Sequence, residues 1–298
     1  MTTEDTDRKS IADLAASHGL DVVPESISLN ELGLDFRVAF AETEGAEKWV
    51  LRIPRRADVA PRAAVEGRLL DRIQPHLDVE IPDWRIHAAD LIAYPLPPGE
   101  PGLTIGEDGE PAWHFDVESD AFAHSLGDLL AQLHSIDPEE VSTTGIDIRT
   151  AAETRQGIRD DIARVSAEFA IAADLLSRWR TWLADDDYWP TWSVLTHGEV
   201  YPAHLLLTDE KIVGVLDWTT AAIGDPARDF VFHRASVSDR SFDATVRRYV
   251  ERGGRVWPKL AEHCTELYST SPLAYGLYAL TTGDPAHLEA AAAQLGPQ

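Results

Sequence analysis

The segment Thr196-His197-Gly198-Glu199-Val200-Tyr201-Pro202-Ala203-His204 gathers a carboxylate, two imidazoles and a phenol into nine residues. It runs between two apolar stretches that read as strands, Val194 to Thr196 and Leu205 to Leu207, so its polar groups sit on a loop held by rigid elements. Asp217 comes thirteen residues after His204, at the end of a third strand, Ile212 to Leu216. A carboxylate, a metal-capable side chain five residues on, and an Asp after a hairpin follow the order of a phosphoryl-transfer site. In that chemistry the first group orients a hydroxyl, and the other two hold magnesium against nucleotide phosphates. Imidazole is a softer ligand than the oxygen magnesium prefers, so His204 is the unusual member of the set. His197 reads as a loop organiser through hydrogen bonding. Tyr201 is a candidate acceptor contact because it lies between Glu199 and His204. Asp225, directly before Pro226, reads as a helix N-cap.

The elements that must position this segment divide the chain. Ser10 to His18 has helical apolar spacing and stops at Gly19. Ser26 to Leu29, Asp35 to Ala41 and Lys48 to Ile53 read as a strand meander. Pro61 to Ile73 reads as a helix, and Trp84 to Ile86 and Asp90 to Tyr94 as further strands ending at Pro95, Pro97, Pro98 and Gly99. That Pro/Gly-rich stretch marks a lobe boundary. Beyond it the pattern is helical over 120–134, 150–169, 172–183 and from Asp225 almost to the end, with one island of strands around the loop. A strand-rich lobe, a hinge and a helical lobe make an α+β protein rather than a doubly wound sheet.

Composition limits the partners. The 298 residues carry 51 acidic and 26 basic side chains, a formal charge of −25, and 44% are hydrophobic. The apolar content supports a real core. The charge disfavours nucleic acid and anionic membranes, which attract Lys and Arg, and leaves a cationic small molecule as the compatible ligand. One cysteine, Cys264, excludes an intrachain disulfide and a Cys-based zinc site. With no apolar run of about 18 residues and a polar start, the chain is expected to be cytoplasmic.

His-Gly-Glu-x4-His followed by Leu-Asp-Trp resembles the His-Gly-Asp-x4-Asn and Asp signature of the antibiotic phosphotransferases, which share the protein-kinase fold. His204 in place of Asn is similar to the macrolide 2′-phosphotransferases. Five more segments resemble theirs: Asn30 to Phe36, Trp49 to Arg56, Leu130 to Ile136, Ile223 to Phe230 and Gly253 to Pro258. The likeness runs from about Ile27 to Leu295.

The resemblance implies a two-lobed protein-kinase-like fold, with residues 1–96 as the nucleotide-binding lobe and 97–298 as a helical lobe carrying the catalytic loop and macrolide-binding helices. It implies Glu199 as the catalytic carboxylate, His204 and Asp217 as magnesium ligands, and Arg52 in the place of the phosphate-binding Lys, paired with Glu66. Arg55 and Arg56 would extend a basic patch around Arg52. The segment Ile92, Ala93, Tyr94 to Leu96 would read the purine edge by backbone hydrogen bonds. The donor would be GTP, with ATP possible, and the acceptor the 2′-hydroxyl of a macrolide amino sugar, whose cationic amine Asp209 and Asp229 would attract. Glu at the family's Asp position adds a methylene, and a misplacement of about 1 Å can cost about 100-fold in rate. Two alternatives stay open: a kinase of another hydroxylated amine, such as an aminoglycoside or a metabolite, and a nucleotide-binding homologue with impaired catalysis.

Overall fold

The computed structural model describes residues 3–31, 35–106 and 109–297. Helix α1 (Thr3–Ser17) leads into a sheet of β1 (Ser28–Asn30), β2 (Phe36–Glu42), β3 (Lys48–Pro54), β4 (Ile86–His87) and β5 (Ile92–Pro95), with α2 (Val59–Ile73) between β3 and β4. The strand order is β1-β2-β3-β5-β4, antiparallel throughout. Successive side chains of a strand face opposite sides. Leu51, Leu91 and Ala93 therefore pack with Ile11 and Ala15 of α1, while Val50, Ile92 and Tyr94 pack with Val59 and Ala63 of α2. Arg52, two residues from Val50, shares the α2 face.

Past the hinge the chain makes β6 (Glu100–Pro101) and the hairpin of β7 (Leu103–Ile105) and β8 (Pro111–Trp113) before α3 (Asp120–Ser135), α4 (Pro138–Ser142), β9 (Asp147–Ile148), α5 (Ala151–Ser166) and α6 (Ala173–Ala184). The sequence does not signal β6 to β9, nor the later strand Ala222–Gly224; each has only two or three residues, too few to show an alternating pattern. Then come β10 (Val194–Thr196), β11 (Leu205–Thr208), β12 (Lys211–Val215), β13 (Ala222–Gly224), α7 (Val231–Ser236), α8 (Asp239–Glu251), α9 (Leu260–Ser269), α10 (Ser271–Thr282) and α11 (Pro285–Leu295). Of the expected Asn30 to Phe36 loop, Leu32 to Leu34 lie outside the described residues. No helix among the described residues is long and apolar enough to cross a membrane.

Local signals explain the helices that carry the second lobe. Ser119 caps α3, its side chain accepting from the Phe122 N–H, and Thr150 with Glu153 forms a capping box on α5. The apolar stripe of α3, Phe122, Leu126, Leu129, Leu130 and Leu133, enters a core shared with Val200, Leu205, Trp218 and Phe230. That core also takes Leu69, Leu70 and Ile73 from α2, so the end of α2 belongs to the second lobe's packing. Glu80 adds a backbone stitch: its N–H donates to the Val213 carbonyl and its carbonyl accepts from Val215, both at 2.8 Å. The lobes are thus joined behind the cleft as well as through the hinge.

One histidine in this core links stability to pH. His233 is 4% exposed, hydrogen-bonded through Nε2 to Thr245 Oγ1 at 2.8 Å and flanked by Phe122 and Phe242. Burial lowers its pKa from 6.5 to about 4. The unfolded chain takes up this proton near pH 6.5 and the folded chain only near 4, so the contribution is whole above 6.5 and is lost as the pH falls between them. Moving from pH 7 to pH 5 should cost about 2 kcal/mol through this group. Urea unfolding at the two pH values should show that difference in the wild type and not in His233→Gln; an equal pH dependence in both would rule out a buried neutral His233.

Candidate active site

The loop from His197 to His204 is held from beneath by one buried carboxylate. Asp229 ends a short 3-10 turn, Pro226–Asp229, that Asp225 caps through the Ala227 N–H. Its Oδ2 accepts from the His197 N–H at 3.0 Å and from His134 Nε2 at 3.1 Å, and its Oδ1 accepts from the Gly198 N–H at 2.7 Å. His134 Nδ1 then accepts from the Tyr249 hydroxyl at 2.9 Å. Burial works to raise the Asp229 carboxyl, yet the hydrogen bonds it accepts, that of His134 foremost and that of the Gly198 N–H with it, hold it below the usual range. A second buried relay fixes the start of the same turn: Trp182 Nε1 donates to His263 Nδ1 at 3.0 Å, and His263 Nε2 donates to Asp225 Oδ2 at 2.7 Å.

The loop then folds on itself. Gly198 has φ +87°, and a Cβ there would stand 2.4 Å from the Thr220 carbonyl oxygen, so neither the backbone angle nor the space admits a side chain. His197 is buried; its Nδ1 accepts from the Glu199 N–H and its Nε2–H donates to the Leu216 carbonyl at 3.0 Å. Burial keeps its pKa low, consistent with one protonated nitrogen. Glu199 is left with its side chain exposed at the surface of the loop. Its carbonyl accepts from the Tyr201 N–H and from His204 Nδ1, the latter at 3.2 Å. That second bond protonates Nδ1 and leaves the Nε2 lone pair free.

Asp217 sits opposite at φ +60°, with Leu216 between it and the end of β12. Thr219 Oγ1 donates to its Oδ1 at 2.6 Å, while its Oδ2 lies 3.9 Å from His204 Nε2. Burial raises the Asp217 carboxyl, but Thr219, Arg52 and His204 outweigh it and keep it below the usual value. The two free donors facing each other fit a divalent cation. Among the described residues no group of three His, Cys, Asp or Glu forms a metal site, so these two side chains are what the protein would offer such an ion.

Across the cleft Arg52 Nη1 donates to Glu66 Oε1 at 2.9 Å, and both side chains are buried. The guanidinium lies 4.2 Å from the Phe36 ring centroid and 5.6 Å from that of Trp84. The same Glu66 oxygen accepts from the Trp218 N–H at 3.3 Å, which ties α2 to the residue after Asp217. Burial raises the Glu66 carboxyl and Arg52 opposes this, while Arg52 is itself held far above its usual value, against burial, chiefly by Glu66. We take the pair as ionised, because neutral Glu66 would leave a buried guanidinium without a counter-charge.

Four expectations change. Asp229 is fully buried and its oxygens are occupied by loop N–H groups and His134, so it organises the loop and does not meet a substrate. Asp209 lies in the β11–β12 turn, five residues of chain or about 15 Å beyond His204 and at the hairpin end opposite Asp217. Ile92 and Ala93 lie inside the sheet between β3 and β4, Tyr94 is paired with Val50, and the Leu96 N–H donates to the Lys48 carbonyl, so these backbone groups are largely spent within the fold. Arg55 and Arg56 pair with Glu31, Asp35 and Asp58, so they form no free basic patch. Tyr201, within the loop, packs edge-on to Phe232 at 4.4 Å between centroids. Sequence reasoning missed Thr219 and Thr220, whose hydroxyls hold Asp217 and the His197 carbonyl. Their signal was the Thr-Thr pair directly after Asp217-Trp218.

Asp229→Asn separates the two readings of that residue. It should cost about 3 kcal/mol of stability, since it breaks a buried charge-assisted set, and lower kcat with little change in acceptor KM. Thermal melting and steady-state kinetics measure both. An unchanged melting temperature with a raised acceptor KM would return Asp229 to the substrate.

Comparison with known proteins identifies the family. Residues 26–263 match the phosphotransferase enzyme family APH. The crystal structure of macrolide 2′-phosphotransferase MphH from Brachybacterium faecium is 57% identical, with a TM-score of 0.94 over 98% of this chain and 99% of that one. A structure of macrolide 2′-phosphotransferase type I is 37% identical, with a TM-score of 0.90 over 100% and 99% of the two chains. The uncharacterized protein YcbJ of Bacillus subtilis (strain 168) is 38% identical over 96% of this chain and 95% of its own. The two-lobed α+β fold is the kinase-like fold of this group, and the chain belongs to the APH phosphotransferase enzyme family.

Proposed function

We propose that this protein is a cytoplasmic kinase that transfers the γ-phosphate of GTP to the 2′-hydroxyl of a macrolide amino sugar. The observation that carries the reading is the pairing of His204 Nε2 with Asp217 Oδ2 at 3.9 Å, with exposed Glu199 on the same loop as His204 and the Arg52–Glu66 pair tied to the residue after Asp217, in a chain with 57% identity to MphH over nearly its whole length. Glu199 orients the acceptor hydroxyl and takes its proton. His204 and Asp217 hold the divalent cation, magnesium in the ordinary case, which neutralises phosphate charge when bound. Arg52, stiffened by Glu66 and two rings, faces phosphate oxygens, and positioning with charge neutralisation supplies most of the catalysis.

The hinge favours guanine. Pro95, Pro97 and Pro98 have no N–H, and the Leu96 N–H is already donated to Lys48, so residues 95–98 offer carbonyl acceptors and no free donor. Guanine presents two donor groups, N1–H and N2–H, beside its O6 acceptor, whereas adenine presents one, N6–H, beside its N1 acceptor, so a run of carbonyls meets more of the guanine edge. On the acceptor side, the Tyr201–Phe232 pair gives an aromatic surface beside Glu199, better matched to a largely apolar macrolide than to a polycationic aminoglycoside.

The test is nucleotide consumption by the purified protein with macrolides of 14-, 15- and 16-membered rings and with an aminoglycoside. GTP turnover should rise with a macrolide and exceed ATP turnover, and the product should carry one phosphate. No stimulation by any macrolide would refute the assignment. Glu199→Gln should lower kcat about 100-fold or more with macrolide KM little changed; full turnover would remove Glu199 from the proton transfer.

A further inference from the structure

The cation site has a donor set of mixed chemistry, and its selectivity follows from what each ligand has left to offer. This deepens the assignment of His204 and Asp217 as ligands and rests on it. Asp217 has one oxygen engaged: Oδ1 accepts the Thr219 hydroxyl at 2.6 Å, so Oδ2 is the freer donor. His204 has one nitrogen engaged: Nδ1 donates to the Glu199 carbonyl at 3.2 Å, so Nε2 carries the lone pair. Nε2 and Oδ2 are 3.9 Å apart, and both side chains reach solvent, at 21% and 41% exposure. The protein therefore offers a cation one imidazole nitrogen and one carboxylate oxygen. The carbonyl behind Nδ1 orients the ring and makes Nε2 a better base, as hydrogen-bond partners behind a ligand generally do.

We infer that this site favours a first-row transition ion over magnesium, to a degree that an amide-oxygen ligand at position 204 would not. Magnesium prefers oxygen and gives up water reluctantly, whereas imidazole is a good ligand for first-row ions. Manganese is the weakest of those ions in the usual affinity order, which makes it the most demanding probe of the idea. With only two protein donors, the ion is held tightly only when phosphate oxygens complete its shell, so Mn2+ binds well to the nucleotide complex and poorly to the protein alone.

The experiment uses Mn2+ with the whole protein and a non-hydrolysable GTP analogue. Electron spin-echo modulation reads direct coordination by a 14N nucleus, and Mg2+ competition followed by the Mn2+ resonance gives the relative affinities. The wild type should show strong 14N modulation, which His204→Asn should lose. The Mn2+-over-Mg2+ preference should fall in that variant by about tenfold or more. Thr219→Val, which frees the carboxylate to rotate, should weaken both ions by the same factor. A melting temperature and far-UV circular dichroism of metal-free, nucleotide-free His204→Asn equal to those of the wild type show that the variant is folded. Absent modulation in the wild type, modulation that survives His204→Asn, or an unchanged ion preference would each overturn the inference. The spectra need no acceptor: their failure alongside normal macrolide phosphorylation sinks this inference alone, and the reverse result sinks the macrolide assignment alone.

Discussion

The Asp229 carboxylate is the constraint on which the rest of the site depends. Two consecutive N–H groups, of His197 and Gly198, point at it, and His134 meets it from α3. A loop with two buried donors in succession needs an acceptor there, since an unmet donor costs about 1–3 kcal/mol. Once those donors are fixed, the positive φ of Gly198 turns the chain and delivers Glu199 to the surface. The Glu199 carbonyl then sets the His204 tautomer. A single buried charge thus governs the direction of the exposed carboxylate and the choice of nitrogen on its neighbour.

Glu66 has the corresponding role across the cleft. By accepting from both Arg52 and the Trp218 N–H, it couples β3, which carries Arg52, with the segment that carries Asp217. The packing of the α2 end into the second lobe's core and the Glu80 backbone stitch hold that coupling in place from behind. The active site is therefore spread over both lobes, with its alignment set by buried contacts rather than by the hinge alone.

Net charge is a weaker guide than local pairing. The chain is acidic overall at −25, and most of the cations near the nucleotide side are tied to carboxylates, Arg37 to Asp7 and Glu31 and Arg56 to Asp35 and Asp58. Exposed pairs of this kind add little stability, but they take positive charge away from a ligand. This leaves Arg52 as the cation built into the site. On the proposed macrolide reading, burial of Asp229 would leave attraction for an amine to the overall field and to exposed carboxylates such as Glu199, while Tyr201 and Phe232 would supply apolar contact.

The sequence alone determined the order of elements, the α+β class and the chemical identity of the site loop. The reason is that periodicity, turn residues and a dense polar motif are local properties of the chain. Strands of two or three residues, such as β6 and β9, escaped because so short a pattern carries no period. The roles of Asp229 and Asp209 were decided only in three dimensions: a carboxylate near a site in sequence can face a ligand, a backbone or open solvent, and what separates these is burial and partners from distant elements. Thr219, so close to Asp217 in the chain, shows the same limit. Its hydroxyl became meaningful when the left-handed turn at Asp217 brought the two side chains together and chose which carboxylate oxygen remained free.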